Sequence, residues 1–110
     1  MINLNVKNPF TSDKIATIDF TAKKEAFKMI TRAHELHLAC PSGLPKEQRI
    51  NILENLHVLL LQNKTELINL SVSEGGKPIT DTKVEMKRAL EGVKIAIQAI
   101  RNIKGEMIPM

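Results

Sequence analysis

One short stretch of the sequence is similar to a phosphate-binding loop and consists of Gly75, Gly76 and Lys77. A Walker-type loop has a glycine five residues before its glycine–lysine pair, which opens the turn, and a hydroxyl after the lysine, which binds magnesium. This chain has Ser71 and Pro78 at those positions, and the dinucleotide-binding pattern lacks its third glycine. We therefore interpret the stretch as a corner where glycine ends one helix and proline begins the next.

Cys40, His34 and His37 are close enough in sequence to combine a thiol nucleophile with a base, or to supply metal ligands. The cysteine precedes a proline on a loop, however, and no third orienting group is evident. The two histidines are three residues apart, whereas the zinc helix of metalloproteases places them four apart. We expect neither catalysis nor metal binding from these side chains.

Glu54 and His57 have the Glu-x-x-His spacing of di-iron helical bundles. Such a site needs two of these motifs and two further glutamates, and only one motif is present. In the stretch KVEMKRALEGVK, Glu85 is expected to face Arg88 or Lys87 on a solvated helix surface, in pairs that stabilise by about 0.3 kcal/mol. The residues alone therefore assign no catalytic, cofactor-binding or metal-binding residue.

The composition is typical of a soluble globular domain. The chain has 110 residues, of which 43% are hydrophobic and 25% charged. Its net charge is +4, its basic residues are interleaved with acidic ones, and tryptophan and tyrosine are absent. These features argue against a nucleic-acid partner. A single cysteine excludes an internal disulfide, and no apolar run is long enough for a membrane span. The start lacks a signal-peptide pattern, so a cytoplasmic location is expected.

The first twenty residues predict a short β-hairpin. Apolar residues alternate with polar ones at Ile2, Leu4 and Val6, and the alternation resumes at Ile15. The intervening NPFTSDK is rich in turn-forming residues. Two strands alone are marginally stable, so the hairpin of residues 1–20 must pack on something.

Residues 21–104 predict a helical part with three helices. The first is expected over 22–38, with Thr21 as its N-cap. CPSGLP then interrupts the pattern. The helical period returns over 46–74, with a kink allowed near Asn63–Thr65, and again over 79–103.

Gly105 is expected to end the third helix, and residues 105–110 resemble the start of an extended segment. The expected fold class is α+β and mostly helical, with a hairpin and three helices. Residues 1–110 would form a single incomplete domain.

Five motifs in this order resemble the amino-terminal part of the NAD(P)-dependent aldehyde dehydrogenases, over nearly the whole chain. They begin with Asn8, Pro9, Thr11 and Ile15, followed by a helix with ITRAHEL and then by Pro45, Arg49, Ile52 and Leu53. The fourth motif is the corner Glu74, Gly76, Lys77 and Pro78 with KVEMKRALEGV after it, and Gly105, Ile108 and Pro109 complete the set.

The resemblance implies a parent enzyme that oxidises an aldehyde to a carboxylic acid through a cysteine thioester, with NAD or NADP as cofactor. The segment would be scaffold within the α/β cofactor-binding domain, inactive alone and binding no cofactor, because the family's catalytic and cofactor-binding residues lie beyond it. Its partners would be the remainder of the parent chain and the other subunits of a homo-oligomer, and the substrate a lactaldehyde-like or phosphorylated small aldehyde. The resemblance also implies that some relatives bind a structural monovalent cation near this corner, for which Glu74 and the backbone around Val6 would be the candidate ligands.

Two other functions remain open at this point. The chain could be a free-standing helical interaction module without catalysis. Nucleic-acid binding through the mild positive charge is the weakest alternative, because no motif supports it.

Overall fold

The computed structural model describes residues 3–105 and 108. A β-hairpin is followed by four helices, and the predicted mostly helical α+β organisation is confirmed, although the predicted number of three helices is wrong. The strands are β1 (Asn3–Lys7) and β2 (Lys14–Asp19), and the helices are α1 (Lys23–Ala39), α2 (Lys46–Gln62), α3 (Lys64–Gly75) and α4 (Ile79–Arg101).

The hairpin forms where the alternating pattern predicted it. The two strands pair antiparallel with Leu4 opposite Ile18, and the register shifts between Val6 and Lys7. In the turn, the Asn8 side-chain oxygen accepts hydrogen bonds from the backbone N–H groups of the second and third residues after it, at 2.9 and 3.2 Å. This Asx-type turn explains how Asn-Pro reverses the chain.

Helix α1 begins one residue later than predicted. Ala22, not Thr21, occupies the N-cap position, and its side chain makes no capping hydrogen bond. The Ala22 carbonyl accepts hydrogen bonds from the backbone N–H groups of Glu25 and Ala26, which sets the first turn. The prediction of Thr21 as N-cap was therefore wrong.

The predicted helix over 46–74 is two helices joined at Asn63, within the region where a kink was allowed. Asn63 has φ −98° and ψ 11°, outside helical values, and its side-chain amide donates to the Leu59 carbonyl at 2.8 Å. The backbone N–H of Asn63 donates to the same Leu59 carbonyl at 3.0 Å, so the side-chain bond is added to the helical one at the end of α2. The Asn63 carbonyl then accepts from the backbone N–H of Leu67, which starts α3.

Helix α4 packs on α2 and α3, and this contact contains the core of the described structure. The buried apolar side chains are Ile68, Leu90 and Ile97. The helix ends at Arg101, two residues before the predicted end, and the backbone N–H of Asn102 caps it. The prediction that Gly105 ends the helix was therefore wrong.

Two predictions lie wholly or mostly outside the described residues: Ile2 in the first strand, and the extended segment over 105–110. Within the described part, the radius of gyration is 19.6 Å, compared with about 13 Å for a compact chain of similar length. Helix α1 packs extensively on no other element that the structure describes, and its Phe27 and Ile30 are 58% and 65% exposed. No helix among the described residues is long and apolar enough to cross a membrane.

Candidate functional site

The corner between α3 and α4 depends on Gly76. This residue caps α3 with φ 62° and ψ 23°, and its backbone N–H donates to the Val72 carbonyl at 2.9 Å. Such left-handed backbone favours glycine, because a side chain there is strained. Pro78 precedes the first residue of α4. The interpretation of this stretch as a helix end, a corner and a helix start is confirmed.

The turn of the hairpin packs directly on this corner. A Cβ atom added to Gly76 would lie 2.6 Å from Pro9 Cγ and 2.9 Å from Phe10 Cε2, closer than real carbon contacts allow. Gly76 is therefore required both by its backbone conformation and by the approach of the turn. The sequence indicated the need for a helix-ending glycine but not the contact with the turn. No local pattern can predict a contact between Phe10 and Gly76, which are 66 residues apart.

Lys77 is held by another side chain and does not point into a phosphate cradle. Its Nζ lies 2.5 Å from Oε2 of Glu85, and its stem passes over Gly75, where an added Cβ would be 3.3 Å from Lys77 Cγ. Glu85 was expected to face Arg88 or Lys87, and that prediction was wrong because the chain reversal brings Lys77 nearer. Both side chains are about half exposed, so the pair adds at most about 1 kcal/mol.

A second set of polar contacts joins the start of α2 to the end of α4. Lys46 Nζ donates to the carbonyl oxygens of Arg101 at 2.6 Å and Ile103 at 3.3 Å. The Arg101 guanidinium donates to Oε1 of Glu54 at 2.5 Å. Lysine at a helix carboxyl end satisfies carbonyls that lack helical partners. Sequence reasoning missed these residues, because the contact joins segments more than forty residues apart.

Cys40, in the loop after α1, lies close in sequence to two histidines of that helix. The Cys40 thiol is exposed and donates to the Gly43 carbonyl at 3.3 Å. Over residues 3–105 and 108, no three His, Cys, Asp or Glu side chains come together as a metal site would require. His34 and His37 are both exposed on α1.

Glu54 and His57 are not brought together as metal ligands either. Glu54 accepts the hydrogen bond from Arg101, and His57 Nε2 is buried without a partner among the described residues. Glu74, implied by the family resemblance as a cation ligand together with the Val6 backbone, is exposed. That cation site stays a prediction.

The described residues around Gly76 thus form a packed corner between two helices. Comparison with known proteins gives the same family as the motifs of the sequence. The model of the aldehyde dehydrogenase family matches residues 2–110. The chain therefore belongs to the aldehyde dehydrogenase family, and the resemblance stated from its motifs is confirmed.

Curated relatives match nearly the whole chain. It is 30% identical to a lactaldehyde dehydrogenase of Methanocaldococcus jannaschii and 32% identical to one of Methanococcus aeolicus, over 97% of this chain in both cases. It is 33% identical to a malonate-semialdehyde dehydrogenase of Bacillus pumilus over 94% of this chain. The chain spans only 21–23% of the length of these three relatives.

Proposed function

We propose that the chain is the amino-terminal scaffold segment of an NAD(P)-dependent aldehyde dehydrogenase. The parent enzyme would oxidise an aldehyde to a carboxylic acid through a cysteine thioester. The observation that carries the proposal is the family match over residues 2–110. The relatives extend far beyond the matched region, so the catalytic residues of the parent enzyme would lie outside this chain. No residue of the segment is assigned a catalytic role.

The glycine corner of the described structure does not fit a nicotinamide cofactor. At the glycine corner, Pro9 and Phe10 already occupy the surface of Gly76, and Lys77 is engaged by Glu85. We propose that the remainder of the polypeptide holds NAD or NADP. Residues 1–110 would form a single incomplete unit that belongs to the α/β cofactor-binding domain and packs around it.

The distribution of apolar side chains supports an unfinished unit. Three apolar side chains are buried in the described part, while many large ones are more than 40% exposed, including Phe20, Met29 and Leu38. Monomeric proteins rarely leave large apolar patches uncovered. These surfaces fit a segment that packs on the rest of a parent chain. We propose in addition that the parent enzyme is a cytoplasmic homo-oligomer, as the family resemblance implies.

The names of the relatives support a substrate class of small polar aldehydes. They are named for lactaldehyde and for malonate semialdehyde, which are short and carry a hydroxyl or a carboxylate. We propose that the parent enzyme prefers aldehydes of this kind, including phosphorylated ones, to aromatic aldehydes.

The test uses the polypeptide encoded by the whole reading frame, purified and supplied with NAD or NADP. Reduced cofactor should accumulate with lactaldehyde or a semialdehyde, and more slowly with benzaldehyde. Steady oxidation of benzaldehyde alone would overturn the substrate class. Failure to oxidise any aldehyde would overturn the proposed enzymatic function.

A free-standing helical interaction module is the alternative, and the exposed apolar residues of α1 are the observation that favours it. A genuine module covers such a surface by forming a defined complex. Light scattering of purified residues 1–110 would separate the two functions. A monodisperse monomer or dimer supports the module, whereas concentration-dependent aggregation supports the scaffold segment.

A further inference from the structure

A cavity of 410 Å³ lies between α3 and α4, which is within the range of small-molecule sites in proteins. Its walls come from both helices, whereas the hollows along α1 and along α4 are each lined by a single helix. A cavity with walls on two elements can surround a ligand, which a groove along one helix cannot. The lining residues are Lys64, Thr65, Ile68, Asn69, Ile79 and Lys83.

Two ammonium groups border this cavity without an acidic partner. Lys64 is the first residue of α3, and Lys83 lies one turn after the first residue of α4. The ion pairs formed among the described residues involve neither of them. Glu66 and Asp81 are each two residues from one of these lysines, but they do not line the cavity. Two like charges beside one cavity repel each other, and an anion between them removes this cost.

The remaining lining groups complement a phosphate and a short carbon chain. Thr65 and Asn69 lie one turn apart on α3 and carry a hydroxyl and an amide, which are hydrogen-bond donors. Ile68, which is buried, and Ile79, which is 45% exposed, supply an apolar part of the lining. Lysine binds phosphate as a point charge, and neutral donors complete the contacts to the phosphate oxygens.

We propose that this cavity is a binding site for a phosphate group, either free or carried by a small organic molecule. Lys64 and Lys83 bind its charge, the threonine and the asparagine donate hydrogen bonds to its oxygens, and the two isoleucines offer contacts to the carbon chain of an ester. The site is separate from the glycine corner, which lacks the features of a phosphate loop. It does not depend on the proposed enzymatic function, because every group that forms it lies within residues 64–83.

The test is competitive acetylation of lysines in the polypeptide encoded by the whole reading frame. The folded protein reacts with a limiting amount of an acetylating reagent, and peptide mass spectrometry measures the rate at each lysine. The probes are glycerol 3-phosphate, inorganic phosphate and uncharged glycerol, all at one ionic strength so that general screening is constant. Lys87 is the matched control, because it lies one turn after Lys83 on α4, is exposed and does not line the cavity.

We expect saturating glycerol 3-phosphate to slow acetylation of Lys64 and Lys83 about tenfold, because an ammonium bound to phosphate keeps its proton and does not react. Lys87 should change by less than about twofold, and glycerol should have no effect. Lys83→Gln should abolish the protection of Lys64, whereas Lys87→Gln should preserve it. A stronger effect of the ester than of inorganic phosphate supports the site with a phosphorylated molecule as its ligand, and an equal effect supports it with free phosphate.

Two results would overturn this inference, and neither depends on aldehyde oxidation. The first is an unchanged rate at Lys64 and Lys83 in the presence of both phosphates, or equal slowing at Lys87. The second is that Lys64 and Lys83 react in urea but not in the folded protein without ligand, because the rest of the polypeptide would then fill the cavity.

Discussion

Replacing Gly76 with alanine tests whether the hairpin turn and the α3–α4 corner form one packed unit. The substitution forces a side chain into left-handed backbone, which costs about 1 to 2 kcal/mol. Its Cβ would also collide with Pro9 Cγ at 2.6 Å and with the Phe10 ring at 2.9 Å, and overpacking of this kind costs about 1 to 3 kcal/mol. The combined loss is therefore about 3 kcal/mol, localised to the hairpin and the corner.

Hydrogen exchange in the full-length protein, followed by mass spectrometry, measures this local loss. About 3 kcal/mol corresponds to roughly a hundredfold faster exchange of β1 amides, since each 1.4 kcal/mol is a factor of ten. Gly75→Ala is the matched control, because the three atoms nearest to its added Cβ all belong to the flexible stem of Lys77. It should leave exchange of β1 nearly unchanged.

Combining Gly76→Ala with Pro9→Ala separates the two contributions. The second substitution removes the atom nearest to the added Cβ, so part of the loss should be recovered while the backbone strain remains. Equal exchange in the Gly75→Ala and Gly76→Ala proteins would refute the reasoning, and so would the absence of coupling to Pro9.

Three further substitutions test other contacts, each through the thermal unfolding midpoint and hydrogen exchange of the full-length protein. Lys46→Met removes the donor to two carbonyls at the end of α4 and should destabilise this end by about 1 kcal/mol. Hydrogen exchange of the amides over 102–105 should become faster, and unchanged exchange there would contradict the contact. His57→Leu removes a buried nitrogen without a described partner and should stabilise by about 1 kcal/mol; a lower midpoint would show that Nε2 has a partner. Thr82→Val removes the hydroxyl that donates to the Pro78 carbonyl at 3.1 Å and should cost about 1 kcal/mol, and a neutral effect would make this buried hydrogen bond dispensable.

Local patterns predicted the elements well, because both strand and helix periods are visible in the sequence. The hairpin and α1 lie within one or two residues of the predicted ranges. The sequence patterns allowed a kink near Asn63 but did not predict two separate helices, since the apolar stripe continues across this position. The end of α4 was placed too late, because Asn102 and not Gly105 caps the helix.

Contacts between distant segments could not be predicted from periodicity. The collision that requires glycine at position 76 joins the first turn of the chain to a corner far along it. The same holds for Lys46 at the end of α4 and for Lys77 paired with Glu85. In each case the geometry of chain reversal decides which side chains meet. Family membership, in contrast, followed from several weak motifs in a fixed order.

Aldehyde-dependent formation of reduced cofactor, measured side by side for the full reading-frame product and for residues 1–110, tests the central claim most directly. We expect turnover of small polar aldehydes by the full-length protein with NAD or NADP, and none by residues 1–110. Turnover by residues 1–110 alone would contradict the scaffold role. Absence of turnover in a folded full-length protein would contradict its proposed place in an aldehyde dehydrogenase.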